Sequence, residues 1–416
     1  MSARALAATT AGVLCLGLAA CTPEPMPVPT STPSETAAPR GDGVLTIGTL
    51  FPTTGATAFL ARAQDAGVEL AIREINEAGG VNGAKVVVYH RNSGDATTEK
   101  AEESLAGLVE KKVDVIIGPS SSVLAERILP KVLQAGMTMI SPSATSPVLS
   151  TLPDDGRLFR TIPSSSLQGV ALAELAGDGK KVALLYYSDA AGHDMHDALE
   201  SALDDTGGEL VVDEGFTETT NSVDRMITAV KRTEPDMVIL FSPFSEMKRN
   251  KELLTKLAAA KLAGSRLWLT SQNLADYSQA LPAGTLKDAN GILEGIAPDK
   301  AFEKRVKSAD PAVKDFHYAA EAYDATILAA LAAILAKDDS GVSVADALAD
   351  ASSGGIKCTS FGECLDVLRT MPDIDYDGVS GPLAFDKNGD LRSAVFGLYR
   401  YGAENKYTLV GNTAAG

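Results

Sequence analysis

Short apolar segments alternate with longer amphipathic segments from residue 44 onward. Apolar side chains at helical spacing, such as Val68, Ile72 and Ile75, predict a helix that ends at Gly79. Further helices are predicted at residues 98–111 and 122–135, and strands at residues 44–48, 86–89, 113–117 and 137–140. Because a strand that returns through a crossover helix runs parallel to its neighbour, this pattern predicts a parallel α/β sheet flanked by helices.

The same alternation restarts after residue 161, with strands predicted at residues 182–187, 209–212, 237–241 and 267–269. A folded body of roughly 370 residues is more than one hydrophobic core usually organises. The restart therefore predicts a second lobe. A later helical segment, residues 311–336, is rich in Ala and needs a sheet to cover, which predicts that the chain returns to the first lobe.

The N-terminus has the pattern of an export signal, with Arg4, an apolar stretch over residues 5–18 and small residues before Cys21. The L-A-A-C sequence that ends at Cys21 resembles a bacterial lipobox. We predict a lipoprotein signal peptide over residues 1–20 and an acylated Cys21, which places the protein outside the cytoplasm on the outer face of the cell membrane. The alternative is an ordinary signal peptide that contains a cysteine.

Residues 21–42 are dominated by Pro, Thr, Ser and Glu, a composition that cannot bury apolar surface. We predict that they form a tether between the lipid and the folded body. The formal net charge of −17 argues against a nucleic-acid partner, because phosphate binding needs clustered Lys and Arg.

Cys358 and Cys364 are the two cysteines that lie within the folded body, since Cys15 belongs to the signal and Cys21 is the lipidation site. In an oxidising compartment the two are predicted to form a structural disulfide that closes a small loop. The alternative is a pair of free thiols. A zinc site needs further soft ligands, which this region lacks.

Hydroxyl side chains follow two neighbouring predicted strands of the first lobe, where parallel sheets place their ligands. Ser121 and Ser122 lie at the start of a predicted helix, and Ser143 and Thr145 follow the next strand. The free N–H groups of a helix start favour an anion, so these residues predict a carboxylate site. The alternative is that Ser122 and its neighbours only cap the helix.

Three apolar residues near strand ends, Phe59, Leu60 and Phe244, are predicted walls of the same site, the alternative being that they belong to the core. The sequence contains neither G-x-S-x-G nor His-Glu-x-x-His. His193 and His196, three residues apart, are interpreted as surface residues, the alternative being that they bind a metal. We therefore predict a binding protein and not an enzyme, with no catalytic residue, metal or cofactor.

Several motifs together resemble the type I periplasmic binding proteins, in particular the leucine/isoleucine/valine-binding branch. They are I-N-E-A-G-G-V-N-G (75–83), V-I-I-G-P-S-S-S (115–122), M-I-S-P-S-A-T-S-P (139–147), E-A-Y-D (321–324) and G-P-L-A-F-D-K-N-G-D (381–390). The resemblance implies an α/β fold of two Rossmann-like lobes with parallel-type sheets, joined by three crossings near Ser164, Glu294 and Ala394. The implied lobes are residues 43–163 with 295–393, and residues 164–294 with 394–416.

The resemblance also implies how the site is built. Ser122, Ser143 and Thr145 match the positions that hold the ligand carboxylate. The two tyrosines that the family carries in the second lobe fall at Ala191 and Phe244, and the acid that pairs with the ligand ammonium group falls at Gln272. A neutral amide cannot supply that charge-assisted bond. The acids that remain as alternatives are Asp189, Glu246 and Asp276.

Taken together, these features predict the substrate-binding protein of an ABC importer. Its partners are a small amino-acid-like, carboxylate or amide solute, the permease subunits of the transporter, and the membrane through the lipid. Ligand contacts from both lobes stabilise the closed form, so binding is expected to close the hinge. The alternative function is an envelope scaffold, sensor or activator with the same fold.

Overall fold

The computed structural model of the protein describes residues 40–55, 57–220, 222–371 and 373–416. The predicted signal peptide, the lipidation site Cys21 and residues 21–39 of the tether lie outside the described residues. The last tether residues contact the folded body, since the Gly41 N–H lies 3.2 Å from a carboxylate oxygen of Asp338.

The first sheet has the strand order β2-β1-β3-β4-β5, and every neighbouring pair in it is parallel. Its strands are β1 (Thr46–Phe51), β2 (Val87–Asn92), β3 (Val115–Ile117), β4 (Thr138–Ser141) and β5 (Leu158–Arg160). The first four overlap the predicted strands, and the parallel arrangement that the pattern predicted is confirmed. β5 was not predicted, because three residues that end in an arginine give no periodic signal.

Helices cover both faces of this sheet, as a parallel sheet requires. The helices of this half are α1 (Phe59–Glu77), α2 (Lys100–Glu110), α3 (Ser122–Gln134), α8 (Lys300–Ala309), α9 (Ala319–Ala336), α10 (Gly341–Ala351) and α11 (Phe361–Leu368). Helix α9 packs against α1 and α10 and is long and apolar enough to cross a membrane, yet 83% of it is buried inside the protein. It is therefore the central helix of the first core.

The second sheet has the order β15-β14-β10-β9-β8-β6-β7. Its strands are β6 (Lys181–Tyr187), β7 (Glu209–Phe216), β8 (Met237–Phe241), β9 (Leu267–Leu269), β10 (Asn290–Glu294), β14 (Ala394–Tyr401) and β15 (Tyr407–Ala415). The strands from β7 to β10 are parallel to one another, as expected, and at one edge of the sheet β14 is antiparallel to both β10 and β15. The turn between β14 and β15 is too short for a crossover, so it forces an antiparallel hairpin.

The helices of this half are α4 (Ser165–Ala176), α5 (Ala190–Thr206), α6 (Val223–Thr233) and α7 (Met247–Ala259). Helices α4 and α5 pack on one face of the second sheet, and α6 and α7 pack on the other. In the described residues the chain passes between the two sheets three times: after β5, after β10 and before β14. The exact lobe boundaries given above stay a prediction.

A small third sheet lies in the segment between the second and third passages. Its strands are β11 (Ile356–Cys358), β12 (Ile374–Gly378) and β13 (Gly381–Pro382). Cys358 and Cys364 are joined by a disulfide, with both sulfurs buried, so the predicted pairing is confirmed. The bond ties the end of β11 to helix α11.

Arg160, the last residue of β5, is 1% exposed and organises the loop that follows β4. Its Nε donates to Asp390 at 2.7 Å, one terminal nitrogen donates to the carbonyl oxygens of Ala144 and Ser146, and the other donates to Ser150 Oγ. Four hydrogen bonds therefore hold the guanidinium, and the second terminal nitrogen also forms an ion pair with Asp390. The arginine fixes the 144–150 loop against the turn that carries Asp390.

Replacing Arg160 by Met keeps an apolar stem but removes the charge. We expect the free energy of unfolding to fall by about 3–5 kcal/mol, because Asp390 becomes an unpaired, largely buried charge. Urea denaturation measures the difference. The control is Arg62→Met, which removes an exposed arginine paired with Asp310 and should change the free energy of unfolding by about 1 kcal/mol or less. Equal effects of the two substitutions would contradict the anchoring role of Arg160.

Candidate ligand-binding site

The hydroxyl groups of the first lobe are organised by Gln64, a fully buried residue of helix α1. Its side-chain oxygen accepts hydrogen bonds from Ser120 Oγ at 3.1 Å and from Ser143 Oγ at 3.0 Å. Its nitrogen donates to the carbonyl oxygen of Leu60 at 3.3 Å. One glutamine thus joins the loop after β3, the loop after β4 and the start of α1, and it brings two predicted site residues, Ser143 and Leu60, into one network.

The serines at the start of α3 have different roles. Ser121 is the N-cap residue, whose Oγ accepts from the N–H of Leu124, so the capping alternative holds for this residue. Ser122 Oγ instead accepts from the N–H of Ser146 at 3.1 Å, which draws the loop after β4 onto the helix start. Both serines remain partly exposed. The predicted hydroxyl residues therefore lie together, at the N-terminus of a 13-residue helix.

Thr145 is bonded to the start of helix α4. Its side chain is partly exposed, and its carbonyl oxygen accepts from the N–H of Ser165, the first residue of α4, at 2.9 Å. The loop that carries the predicted carboxylate site is thus bonded directly to the helix that begins the second half.

Phe59 and Phe244 are the exposed phenylalanines of the described chain, with 58% and 44% of their surface accessible. Phe59 is the first residue of α1, and Phe244 follows β8 in a short 3₁₀ turn. Neither belongs to the core, which removes the alternative that was open for them. Exposed aromatic surface at the ends of strands is typical of ligand sites.

The site residues predicted in the second lobe mostly have structural roles in their own loops. Ala191 lies in the first turn of α5 and packs partly against the core. Asp189 caps the same helix by accepting from the Gly192 N–H at 2.9 Å. Asp276 is exposed and accepts from the N–H of Ser278 at 2.8 Å. Asp189 and Asp276 therefore serve their own loops. Glu246 is buried beside Tyr187, where burial and this neighbouring carboxyl raise the pKa of the tyrosine.

Glu294, at the end of β10, is a candidate site residue that sequence reasoning named only as a crossing point. Its Oε1 accepts from Ser271 Oγ at 2.8 Å and from Gln168 Nε2 at 3.1 Å. Ser271 directly precedes Gln272, which is partly buried in the loop after β9. A charged residue in the otherwise apolar segment G-I-L-E-G was the available signal, since buried acids are rare without a partner.

Glu294 and Glu321 both line a cavity of about 210 Å³ between the end of β10 and the start of α9. Burial raises the pKa of Glu294 to about 7. Burial, together with repulsion from Asp324 and Glu294, raises the pKa of Glu321 to about 8. Thr161, in the first passage, donates its hydroxyl to the carbonyl oxygen of Glu321 at 2.9 Å. The two carboxyls therefore lie where the chain passes between the lobes.

Comparisons with known proteins show which family the chain resembles. The family model described as periplasmic binding protein matches residues 44–399. A chemotactic signal transduction system substrate-binding protein of Halobacterium salinarum is 26% identical over 365 residues, covering 84% of each chain. A leucine-, isoleucine-, valine-, threonine- and alanine-binding protein of Pseudomonas aeruginosa is 27% identical, covering 84% of this chain and 88% of its own.

Among solved structures, an ABC transporter substrate-binding protein of Desulfitobacterium hafniense in complex with Leu matches with a TM-score of 0.66 at 21% identity. The match covers 88% of this chain and all of that one. The two sheets, their flanking helices and the cluster at the strand ends define a two-lobed α/β binding protein of type I fold. The chain belongs to the periplasmic binding protein family. This membership confirms a binding protein and not an enzyme.

Because the pKa of Glu321 is raised, the free energy of unfolding is expected to fall as the pH rises. A carboxyl whose pKa is higher in the folded than in the unfolded protein contributes stability at low pH that is lost as the pH rises through the folded value. Without a ligand, we expect the free energy of unfolding to fall between about pH 5 and pH 8.5, and to fall less steeply in Glu321→Gln. Urea denaturation across this range measures both slopes.

The control for the slope is Asp276→Asn, which removes an exposed acid. A hydrogen bond from Ser278 lowers the pKa of Asp276, so this carboxyl stabilises the folded protein as the pH rises. Removing this carboxyl should leave the slope of the free energy of unfolding against pH unchanged or steeper. If the free energy of unfolding changed with pH equally in wild type and in Glu321→Gln, the raised pKa assigned to Glu321 would be wrong.

Proposed function

We propose that this protein is the lipid-anchored substrate-binding protein of an ABC importer, which holds a small carboxylate-bearing solute between its two lobes. The observation that carries the proposal is the hydroxyl cluster at the N-terminus of α3. There Ser122 and Thr145 belong to adjacent strand ends, and both remain accessible to solvent.

The carboxylate preference follows from the surroundings of this cluster. The first backbone N–H groups of a 13-residue helix have no partner inside the helix, and the helix dipole favours negative charge at that end. Ser122 and Thr145 add hydroxyl donors beside it. Phe59 and Phe244 supply exposed apolar surface on the first and second lobes, respectively. An anion with an apolar side chain matches this combination.

The relatives support both the solute class and the transporter. The Pseudomonas aeruginosa protein is named for leucine, isoleucine, valine, threonine and alanine, and the Desulfitobacterium hafniense protein is an ABC transporter component crystallised with Leu. Cys21 and the Pro-rich residues 21–42 support attachment to the outer face of the membrane. We keep the lobes as residues 43–163 with 295–393, and 164–294 with 394–416, which hinge closure brings together around the solute.

Sensing is the second candidate, because the Halobacterium salinarum relative is named for chemotactic signal transduction. Both functions use the same solute site and differ in the membrane partner. Uptake of the labelled solute by a strain that lacks the gene separates them, since loss of uptake supports the importer and unchanged uptake supports the sensor.

The double substitution Ser122→Ala and Thr145→Ala tests the site. For the soluble body, which is residues 43–416 without the predicted signal and tether, a thermal-shift screen against amino acids, their amides, carboxylates and small sugars should find solutes that raise the melting temperature of the wild type. We expect the double variant to lose this rise and to stay folded, because both hydroxyls lie outside the core, although the hydrogen bond from the Ser146 N–H to Ser122 Oγ is lost.

The matched control is Ser360→Ala, which removes an exposed serine that caps α11 by accepting from the N–H of Glu363. This variant should keep the full ligand response. A double variant that still responds like the wild type would show that the solute binds elsewhere.

A further inference from the structure

We propose that Glu294 is the carboxylate that receives the positively charged amino group of the solute, so that the solutes of this protein are amino acids and not amine-free acids. The inference rests on the proposed function and adds the second half of the site. It assigns to Glu294 the position that Gln272 leaves neutral.

These two residues follow the paired parts of neighbouring strands. β10 is parallel to β9, with Asn290 opposite Trp268 and Gly291 opposite Leu269. The pairing ends there, because β9 ends at Leu269 and residues 271–273 form a turn, whereas β10 continues to Glu294. The Ser271 hydroxyl, 2.8 Å from Glu294 Oε1, closes the gap between the two chain segments. An acid lost from one strand end is thus replaced by an acid on the next.

Glu294 has hydrogen-bonding capacity that the protein does not use. It is 4% exposed, and its Oε2 has no hydrogen-bond partner among the described residues. The side-chain oxygen of Gln168, a fully buried neighbour, has none either. Buried polar atoms without partners are costly and rare in folded proteins. An ammonium group has three donors and no acceptor, which is what two such oxygens require.

Helix α4 links this acid to the predicted carboxylate site. The Ser165 N–H donates to the carbonyl oxygen of Thr145, and Gln168, three residues further along α4, donates to Glu294. Three residues of helix rise about 4.5 Å. The carboxylate and ammonium groups of an α-amino acid are separated by a single carbon, so they are expected to bind at neighbouring points of this hydrogen-bonded chain.

The electrostatic surroundings of Glu294 favour a cation. Its cavity is also lined by Glu303, Asp315 and Glu321, and none of the described residues that line it is a lysine or arginine. The remaining titratable groups of the lining are His317, Tyr318, Tyr399 and Tyr407. Glu303 pairs with Lys300 and Asp315 pairs with His317, whereas Glu294 and Glu321 are buried. Burial raises the pKa of Glu294 to about 7. An ammonium group in the cavity would offset this cost.

Two of the acids that the sequence offered, Asp189 and Asp276, are less suited. Asp189 and Asp276 each accept a backbone N–H of their own loop, and Asp276 also lies 3.9 Å from Lys406. Glu294 is instead bonded, through Gln168, to a helix that contacts the first lobe. Among these acids it is the one that the hydrogen-bond network connects to Thr145.

The test compares each amino acid with its deaminated counterpart, for example leucine with 4-methylpentanoate, on the soluble body by isothermal titration calorimetry. Wild type should prefer the amino acid. Glu294→Gln should bind it about 10- to 100-fold more weakly, as expected for a lost charge-assisted bond, and should bind the deaminated acid no more weakly than wild type does. The control Asp276→Asn should behave like wild type.

Two results would overturn the inference alone: a wild type that binds only deaminated acids, or a Glu294→Gln variant that keeps the amino-acid affinity within about twofold. Binding of no member of the panel by the wild type would overturn the proposed function and this inference with it. These outcomes are distinguishable because the first two require a bound solute.

A second measurement covers the case in which Glu294→Gln does not fold. In wild type near pH 7, an ammonium group that lowers the pKa of Glu294 should release protons on binding. Titrations in buffers with different enthalpies of ionisation detect this release. Amino acids should release protons and deaminated acids should not, whereas equal proton exchange with both would contradict the inference.

Discussion

Buried polar groups need partners, and in this protein that constraint is concentrated where the chain passes between its two sheets. Arg160 donates hydrogen bonds to the loop after β4 and to Asp390. Thr161 donates to the first turn of α9, and Ser165 donates to Thr145. The positions of the hydroxyl site, of α4 and of Glu294 all depend on these bonds.

The two halves of the site differ in how many of their buried polar atoms have a hydrogen-bond partner within the protein. In the first lobe, Gln64 accepts from Ser120 and Ser143, and the helix start is ready for an anion. In the second, Glu294 has a buried oxygen without a partner. A site of this kind gains most from a ligand that carries both charges, because the solute supplies the donors that the protein lacks.

Much of the fold could be predicted from the sequence, because Met237–Phe241 and Leu267–Leu269 are apolar runs of the length expected for buried strands. The hydroxyl cluster could also be predicted, since adjacent strands of a parallel sheet end at the same edge. The hairpin of β14 and β15 and the role of Glu294 could not. Both depend on which strands become neighbours across the sheet, and periodicity along one chain carries no information about that order.

A solute held by both lobes is expected to close the hinge between them. Small-angle X-ray scattering of the soluble body, with and without a solute found in the thermal-shift screen, measures this closure. We expect a smaller radius of gyration when that solute is present, and no change in the variant with both Ser122→Ala and Thr145→Ala. An unchanged radius of gyration for the wild type with bound solute would contradict this expectation.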